Sequence, residues 1–156
     1  MPSAVKWESA WTSRGTVLTT ELNALADGAR SAAGTEVNNS TNLDQYGKLE
    51  LSVDFVAAPG AGAYVTVYMI TAPDGTNYED GGSSAAGKDP GAHTLAVTIP
   101  VRADTAAQRL MSQMFTLQPA KTKFLLAWEA GTGSAEAFPA SGSTLTLYSN
   151  NDEIQN

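Results

Sequence analysis

The sequence predicts an all-β protein, an antiparallel β-sandwich of jelly-roll-like form with one short N-terminal helix. Three observations carry this expectation. Apolar and polar residues alternate without exception through Lys48-Leu49-Glu50-Leu51-Ser52-Val53-Asp54-Phe55, the two-residue period of a half-buried strand. Tyr64-Val65-Thr66-Val67-Tyr68-Met69-Ile70 is β-branched and aromatic on both faces, as a central strand should be. Between these and similar runs stand Gly, Ala, Ser, Asp and Pro turns and no repeated helical period, which disfavours a β/α alternation.

The elements follow in chain order. Residues 1–15 hold Trp7 and Trp11 in a polar setting without alternation, and are read as a leader or arm. Two readings of the rings stand side by side: they close one end of this domain's own core, or they insert into a neighbouring subunit, where aromatics serve as anchors. Thr19-Thr20-Glu21-Leu22-Asn23-Ala24-Leu25-Ala26-Asp27-Gly28 supplies the helix. Thr19 or Thr20 can cap it, Leu22 and Leu25 share a face, and Gly28 can adopt the left-handed conformation that stops it. About two turns are too few to be stable alone in water, so the phrase is expected to dock on the β-body and to mark where the leader ends.

A weak strand over 36–40 precedes the 48–55 strand. Pro59, Gly60 and Gly62 then turn the chain into the 64–70 strand. Pro73-Asp74-Gly75 is a turn in which proline presets φ, aspartate bonds its own backbone and glycine accepts a positive φ. A long loop with Gly81, Gly82, Gly87 and Gly91 leads to a strand over 94–99 that stops at Pro100. The span 109–117 reads as one strand, with Met111, Phe115 and Leu117 on one face and Leu110 and Met114 on the other. Strands over 123–129 and 144–148 complete the set, separated by the Gly131-Thr132-Gly133 turn. The total is about seven or eight strands in one domain over 16–156. No fixed internal period points to a propeller or solenoid.

Composition narrows the function. The 156 residues contain no cysteine, which removes disulfides, thiol nucleophiles and thiolate metal sites. The net charge is -7, and the 9 Lys and Arg are dispersed, so nucleic acid is not an expected partner. No apolar run reaches membrane-spanning length, and no membrane partner is expected.

Catalytic candidates are few. His93 is the single histidine and reads as a solvent-facing residue at a strand edge. No Gly-x-Ser-x-Gly elbow, phosphate loop or dinucleotide fingerprint accompanies it. Glu50 and Asp54 lie on one outward face and would be the carboxylates of a glycosidase, although any half-exposed strand shows the same pattern. Asp74, Asn77, Glu79 and Asp80 form an oxygen-rich cluster without EF-hand spacing. Tyr64, Tyr68, Tyr78 and Trp128 would make a sugar-stacking platform, and core or interface packing explains them equally well. The chain is therefore expected to be no enzyme, with no catalytic residues, cofactor or metal.

The phrase Leu18 to Gly28, the strand from Tyr46 to Phe55, and the turn Pro73-Asp74-Gly75-Thr76-Asn77-Tyr78-Glu79-Asp80-Gly81 together show a further pattern. With Lys121-Thr122-Lys123-Phe124-Leu125-Leu126-Ala127-Trp128 and Gly131-Thr132-Gly133, they resemble virion structural proteins of tailed bacteriophages, of the capsid decoration or cement type. The resemblance runs from about Leu18 to Asn151 and rests on structural motifs. It implies a β-sandwich on the outer capsid surface, made in the host cytoplasm, often trimeric, bracing neighbouring capsomers. The implied partners are the major capsid protein and other copies of the chain, with a homotrimer expected. Trp7 and Trp11, and the tail from Asn150 to Asn156, then become candidate binding arms. The alternative is a carbohydrate-binding module of a tail or fibre, using the tyrosines and Trp128.

Overall fold

A computed structural model of the chain describes the backbone of residues 4–7, 10–79 and 90–155, and the side chains of 10–79 and 90–152. These residues form eleven strands: β1 (Ala4–Trp7), β2 (Thr12–Leu18), β3 (Val37–Asn38), β4 (Tyr46–Val53), β5 (Tyr64–Ala72), β6 (Leu95–Pro100), β7 (Gln108–Met111), β8 (Phe115–Thr116), β9 (Lys121–Glu129), β10 (Thr144–Asn150) and β11 (Asp152–Gln155). The only α-helix among the described residues is the single turn α1 (Asn39–Asn42). All the strand pairings are antiparallel, so the fold is all-β.

The strands form three sheets. One has the order β2-β10-β4-β7, with β8 pairing on β4, the second has the order β3-β9-β5-β6, and β1 pairs with β11 in a two-stranded sheet. The alternation in β4 does what its period demands: Leu49, Leu51 and Val53 are buried while Lys48, Glu50 and Ser52 are only partly so. With Val17, Leu145 and Leu147 they join one apolar cluster that also contains Val65, Val67, Ile99, Phe124, Leu126 and Trp128 of the other sheet. Burying each such side chain contributes on the order of 1.5–3 kcal/mol, which makes this shared cluster the main stabilising feature. β5 is interior to its sheet, between β9 and β6, as its two apolar faces require. It buries Val65 and Val67 inward and Ile70 and Ala72 on the opposite face.

Three local expectations are corrected. The N-terminal helix is not formed: Thr20–Leu22 make a 3-10 turn, Asn23 is extended and Ala24 has φ +51. Within the segment only turn bonds form, from the Leu22, Asn23 and Leu25 N–H groups to the Thr19, Thr20 and Leu22 carbonyls, and the rest of its backbone bonds to the body. Ala24 N–H donates to the Pro139 carbonyl, Phe138 N–H to the Leu25 carbonyl and Gly28 N–H to the Trp128 carbonyl. Leu22 and Leu25 are buried, so the docking is as expected without the helix. Gly28 has φ +69 and ends a turn instead.

The phrase is also not the start of the folded body. β2 begins at Thr12, inside the span read as arm, and pairs with β10. Finally, the span 109–117 is two strands. Ser112 Oγ takes the Leu49 N–H at 2.9 Å while Ser112 N–H bonds the Leu49 carbonyl at 2.8 Å, and the chain breaks before β8. The break inverts the alternation, so Leu110, Phe115 and Leu117 pack on the core while Met111 and Met114 are exposed.

Candidate functional site

The outer face of the β2-β10-β4-β7 sheet carries the candidate site. On β4 the residues Lys48 and Glu50 alternate outward with buried leucines. The register sets Tyr148 of β10 opposite Lys48, Met111 of β7 opposite Glu50, and Arg109 of β7 opposite Ser52. Cross-strand neighbours lie within about 5.5 Å at Cβ, so these side chains meet although they come from three distant parts of the chain. Trp11, half-buried just before β2, closes the group. Trp11, Lys48, Glu50, Arg109, Met111 and Tyr148 line a groove of about 440 Å³.

The charges in the groove satisfy one another. Arg109 Nη2 lies 2.6 Å from Glu50 Oε2, and Lys48 Nζ sits 4.8 Å from the centroid of the Trp11 ring. Glu50 first and Tyr148 second hold the Arg109 guanidinium above its ordinary pKa. A carboxylate engaged this way is a poor general base or nucleophile, because its lone pairs are directed at a permanent cation. Asp54 is exposed, beyond the end of β4. The groove offers instead an aromatic wall, a half-exposed methionine (50%) and two anchored cations, a surface suited to binding.

The other residues singled out in the sequence lie elsewhere. Trp128 is 0% exposed, stacked on Phe55 at 5.3 Å and edge-on to Phe138 at 5.1 Å, with its Nε1-H donating to the Glu136 carbonyl at 2.7 Å. It cannot belong to a surface platform. Tyr64 and Tyr68 share the outward face of β5, with Tyr64 exposed and Tyr68 half-buried. Tyr78 has partners of its own: its hydroxyl donates to Glu36 at 2.5 Å, Lys123 Nζ lies 4.7 Å over its ring, and Lys121 bridges to Glu36 at 3.2 Å. Burial first, then the Glu36 carboxylate, pushes the Tyr78 hydroxyl pKa up. The sequence-predicted platform therefore lacks Trp128, which is buried. Trp7 falls in β1 opposite Asp152, and its side chain lies outside the described residues.

The oxygen-rich turn is occupied by its own donors. Asp74 accepts the N–H groups of Thr76 (2.9 Å) and Asn77 (2.8 Å) and the Asn77 amide (2.7 Å). Glu79 takes the Thr71 hydroxyl at 3.0 Å and faces His93 at 3.3 Å, while Asp80 lies outside the described residues. Among the described residues no group of three or more His, Asp or Glu is placed to hold a metal ion, and no helix is long and apolar enough to cross a membrane. His93 is 75% exposed in a 3-10 turn just before β6, the solvent-facing position expected of it.

Sequence reasoning singled out Trp11 and, for another purpose, Glu50. Lys48, Arg109, Met111 and Tyr148 were missed. The outward alternation of β4 signals Lys48, but strand register is what brings Arg109 and Tyr148 beside it. No protein-family model matches the chain, and no curated protein sequence matches it.

Proposed function

We propose that this chain is a noncatalytic structural protein of a tailed-bacteriophage virion, a jelly-roll sandwich that decorates and stabilises the outer capsid surface as a trimer. The observation that carries the reading is the groove on the outer sheet face. Trp, Tyr, Met and Arg are the residue types enriched where protein partners dock, and all four converge there with their charges already paired. Such a surface gains free energy by excluding water against a partner and has no free group poised for chemistry.

The strand order supports the jelly roll. Leaving aside β1, β11 and the short β8, eight strands remain: the first pairs with the last (β2·β10), the second with the seventh (β3·β9), the third with the sixth (β4·β7) and the fourth with the fifth (β5·β6). This is the pairing of one long hairpin rolled into two facing sheets. The sequence resemblance to decoration proteins supplies the capsid as partner, and repeated weak contacts across a symmetric oligomer would supply avidity.

Co-sedimentation with undecorated heads of a host phage tests the reading. The intact chain should sediment with heads. Trp11→Ala and Arg109→Ala should each weaken binding by about 30-fold, the effect of losing a contact worth about 2 kcal/mol at an interface. Unchanged binding in both variants would remove the groove from the capsid contact.

The carbohydrate reading keeps one supporting observation, since Trp11 and Tyr148 beside the Glu50–Arg109 pair could stack and hydrogen-bond a sugar. A glycan array that lights up for the intact chain and goes dark for Trp11→Ala would favour it over the capsid reading.

A further inference from the structure

The outward rows of the five-stranded sheet are nearly empty of acid. β10 turns Thr144, Thr146 and Tyr148 outward, β4 turns Tyr46, Lys48, Glu50 and Ser52, and β7 turns Arg109 and Met111. Of the 16 Asp and Glu in the chain one, Glu50, stands in these rows, against two of the 9 Lys and Arg. A chain of net charge -7 thus carries on this face a groove with two cations and one carboxylate. The depth of the groups sharpens the sign. The Glu50 side chain is 12% exposed and the Arg109 side chain 73% exposed, so the carboxylate forms the floor and the guanidinium the rim. A partner approaching from solvent meets positive charge first.

Glu50 leaves Arg109 able to bind further. A guanidinium carries several N–H donors in a fixed fork, and the contact with Glu50 Oε2 is made through Nη2. The exposed part of the fork retains donors for a second carboxylate. Lys48 marks the other end of the groove, with its Nζ over the Trp11 ring. Ser52, the register partner of Arg109, lies two pleats further along β4, so the backbone positions of the two cations are about 13 Å apart along the sheet. Half-exposed Met111, the register partner of Glu50, falls between them. An apolar centre flanked by cations matches an extended peptide in which carboxylates flank an apolar side chain. An acidic sugar would match the cations and leave Met111 uncovered.

We propose that the groove takes an acidic protein segment: one carboxylate pairs with the outer edge of Arg109, another with Lys48, and an apolar side chain between them covers Met111. Glu50 is then an internal competitor, a carboxylate of the chain itself that partly neutralises Arg109. The inference rests on the reading of the groove as a protein-docking surface and adds the chemistry of what docks there; it does not depend on the partner being a capsid.

Two short synthetic peptides test it, one with a leucine flanked by glutamates and one with glutamines in their place. Each is titrated into the full chain while NMR follows the Met111 methyl and the Arg109 Nε-H. The glutamate peptide should move both signals saturably and the glutamine peptide neither. Two variants should respond in opposite directions. Lys48→Gln, which leaves the Glu50–Arg109 pair untouched, should weaken binding about 5-fold, and Glu50→Gln, which keeps an acceptor beside Arg109 without its charge, should tighten it about 3-fold. No saturable shift with the glutamate peptide, equal binding of the glutamine peptide, or weaker binding by Glu50→Gln would overturn the proposal. Movement of the same signals by an oligogalacturonate and not by the glutamate peptide would overturn it in favour of an acidic sugar. Co-sedimentation separates this failure from that of the docking reading. If Trp11→Ala loses the heads while Lys48→Gln and Glu50→Gln bind them as the parent does, the groove docks the head and the acidic partner is overturned. If the peptide results hold and the intact chain does not sediment with heads, the acidic segment stands and the capsid reading falls.

Discussion

At the scale of the residue, close backbone approach and local hydrogen bonding determine which positions tolerate change. Gly34 bonds the Phe124 carbonyl through its N–H, and its neighbour Thr35 bonds the Val17 carbonyl, so this short stretch joins the two large sheets. A Cβ at Gly34 would lie 1.9 Å from the Val17 carbonyl oxygen and 2.6 Å from Leu18 Cδ2. The backbone oxygen cannot rotate away. Gly34→Ala should therefore destabilise the fold by about 3 kcal/mol or more, at the upper end for overpacking, and a urea unfolding curve superimposable on that of the parent would refute this. Asp74 gives a pH prediction. The N–H groups of Asn77 and Thr76, then the Asn77 amide, hold its carboxyl down to a pKa of about 2, from an ordinary value of 3.8. The folded-state value is depressed, so the contribution of this turn to stability is complete above about pH 4 and is lost as the pH falls through about 2. Carboxyl-carbon NMR should show Asp74 titrating near 2 in the parent and higher in Asn77→Ala. A parent midpoint near 3.8 would contradict the assignment.

At the scale of the element, the strands with an unbroken period were legible and the irregular pieces were not. β4 and β9 follow the expected spans within two or three residues, β4 because burial on one face enforces its alternation and β9 because Phe124, Leu126 and Trp128 mark its core face. β2 was hidden, since Thr12-Ser13-Arg14-Gly15-Thr16 is polar and edge-like and becomes a strand only through β10. The same holds for β1 and β11, which depend on each other across almost the whole length of the chain. The helical phrase misled for a related reason. Thr, Asn and Asp are weak helix formers, and the carbonyls of Trp128 and Pro139 outcompeted intrahelical partners for its N–H groups. The break between β7 and β8 is the other irregularity. It depends on the Ser112 hydroxyl, which stands where a strand carbonyl would accept the buried Leu49 N–H. Ser112→Ala leaves that donor unpaired and should cost about 1–3 kcal/mol. A loss below about 0.5 kcal/mol, the range of indifferent surface substitutions, would show that the hydroxyl does not organise the break.

At the scale of the whole molecule, two large antiparallel sheets enclose one apolar cluster and direct different surfaces outward. The face of the five-stranded sheet carries the Trp11 groove, and the paired chain ends extend from its β2–β10 edge. Trp11 was legible as a residue that needs cover, because an aromatic in a polar segment seeks burial. Its partners were not, because Lys48, Arg109 and Tyr148 become neighbours only through the register of three strands. Sequence spacing likewise did not reveal that Trp128 faces the core or that Tyr78 is bound to Glu36. The proposed attachment to a capsid rests on these surfaces. Labelled intact chain mixed with undecorated phage heads and imaged in negative stain tests that most directly. The account predicts label in a regular lattice over the heads, with the tails bare. Label confined to tail tips, or bare heads at saturating protein, would contradict it.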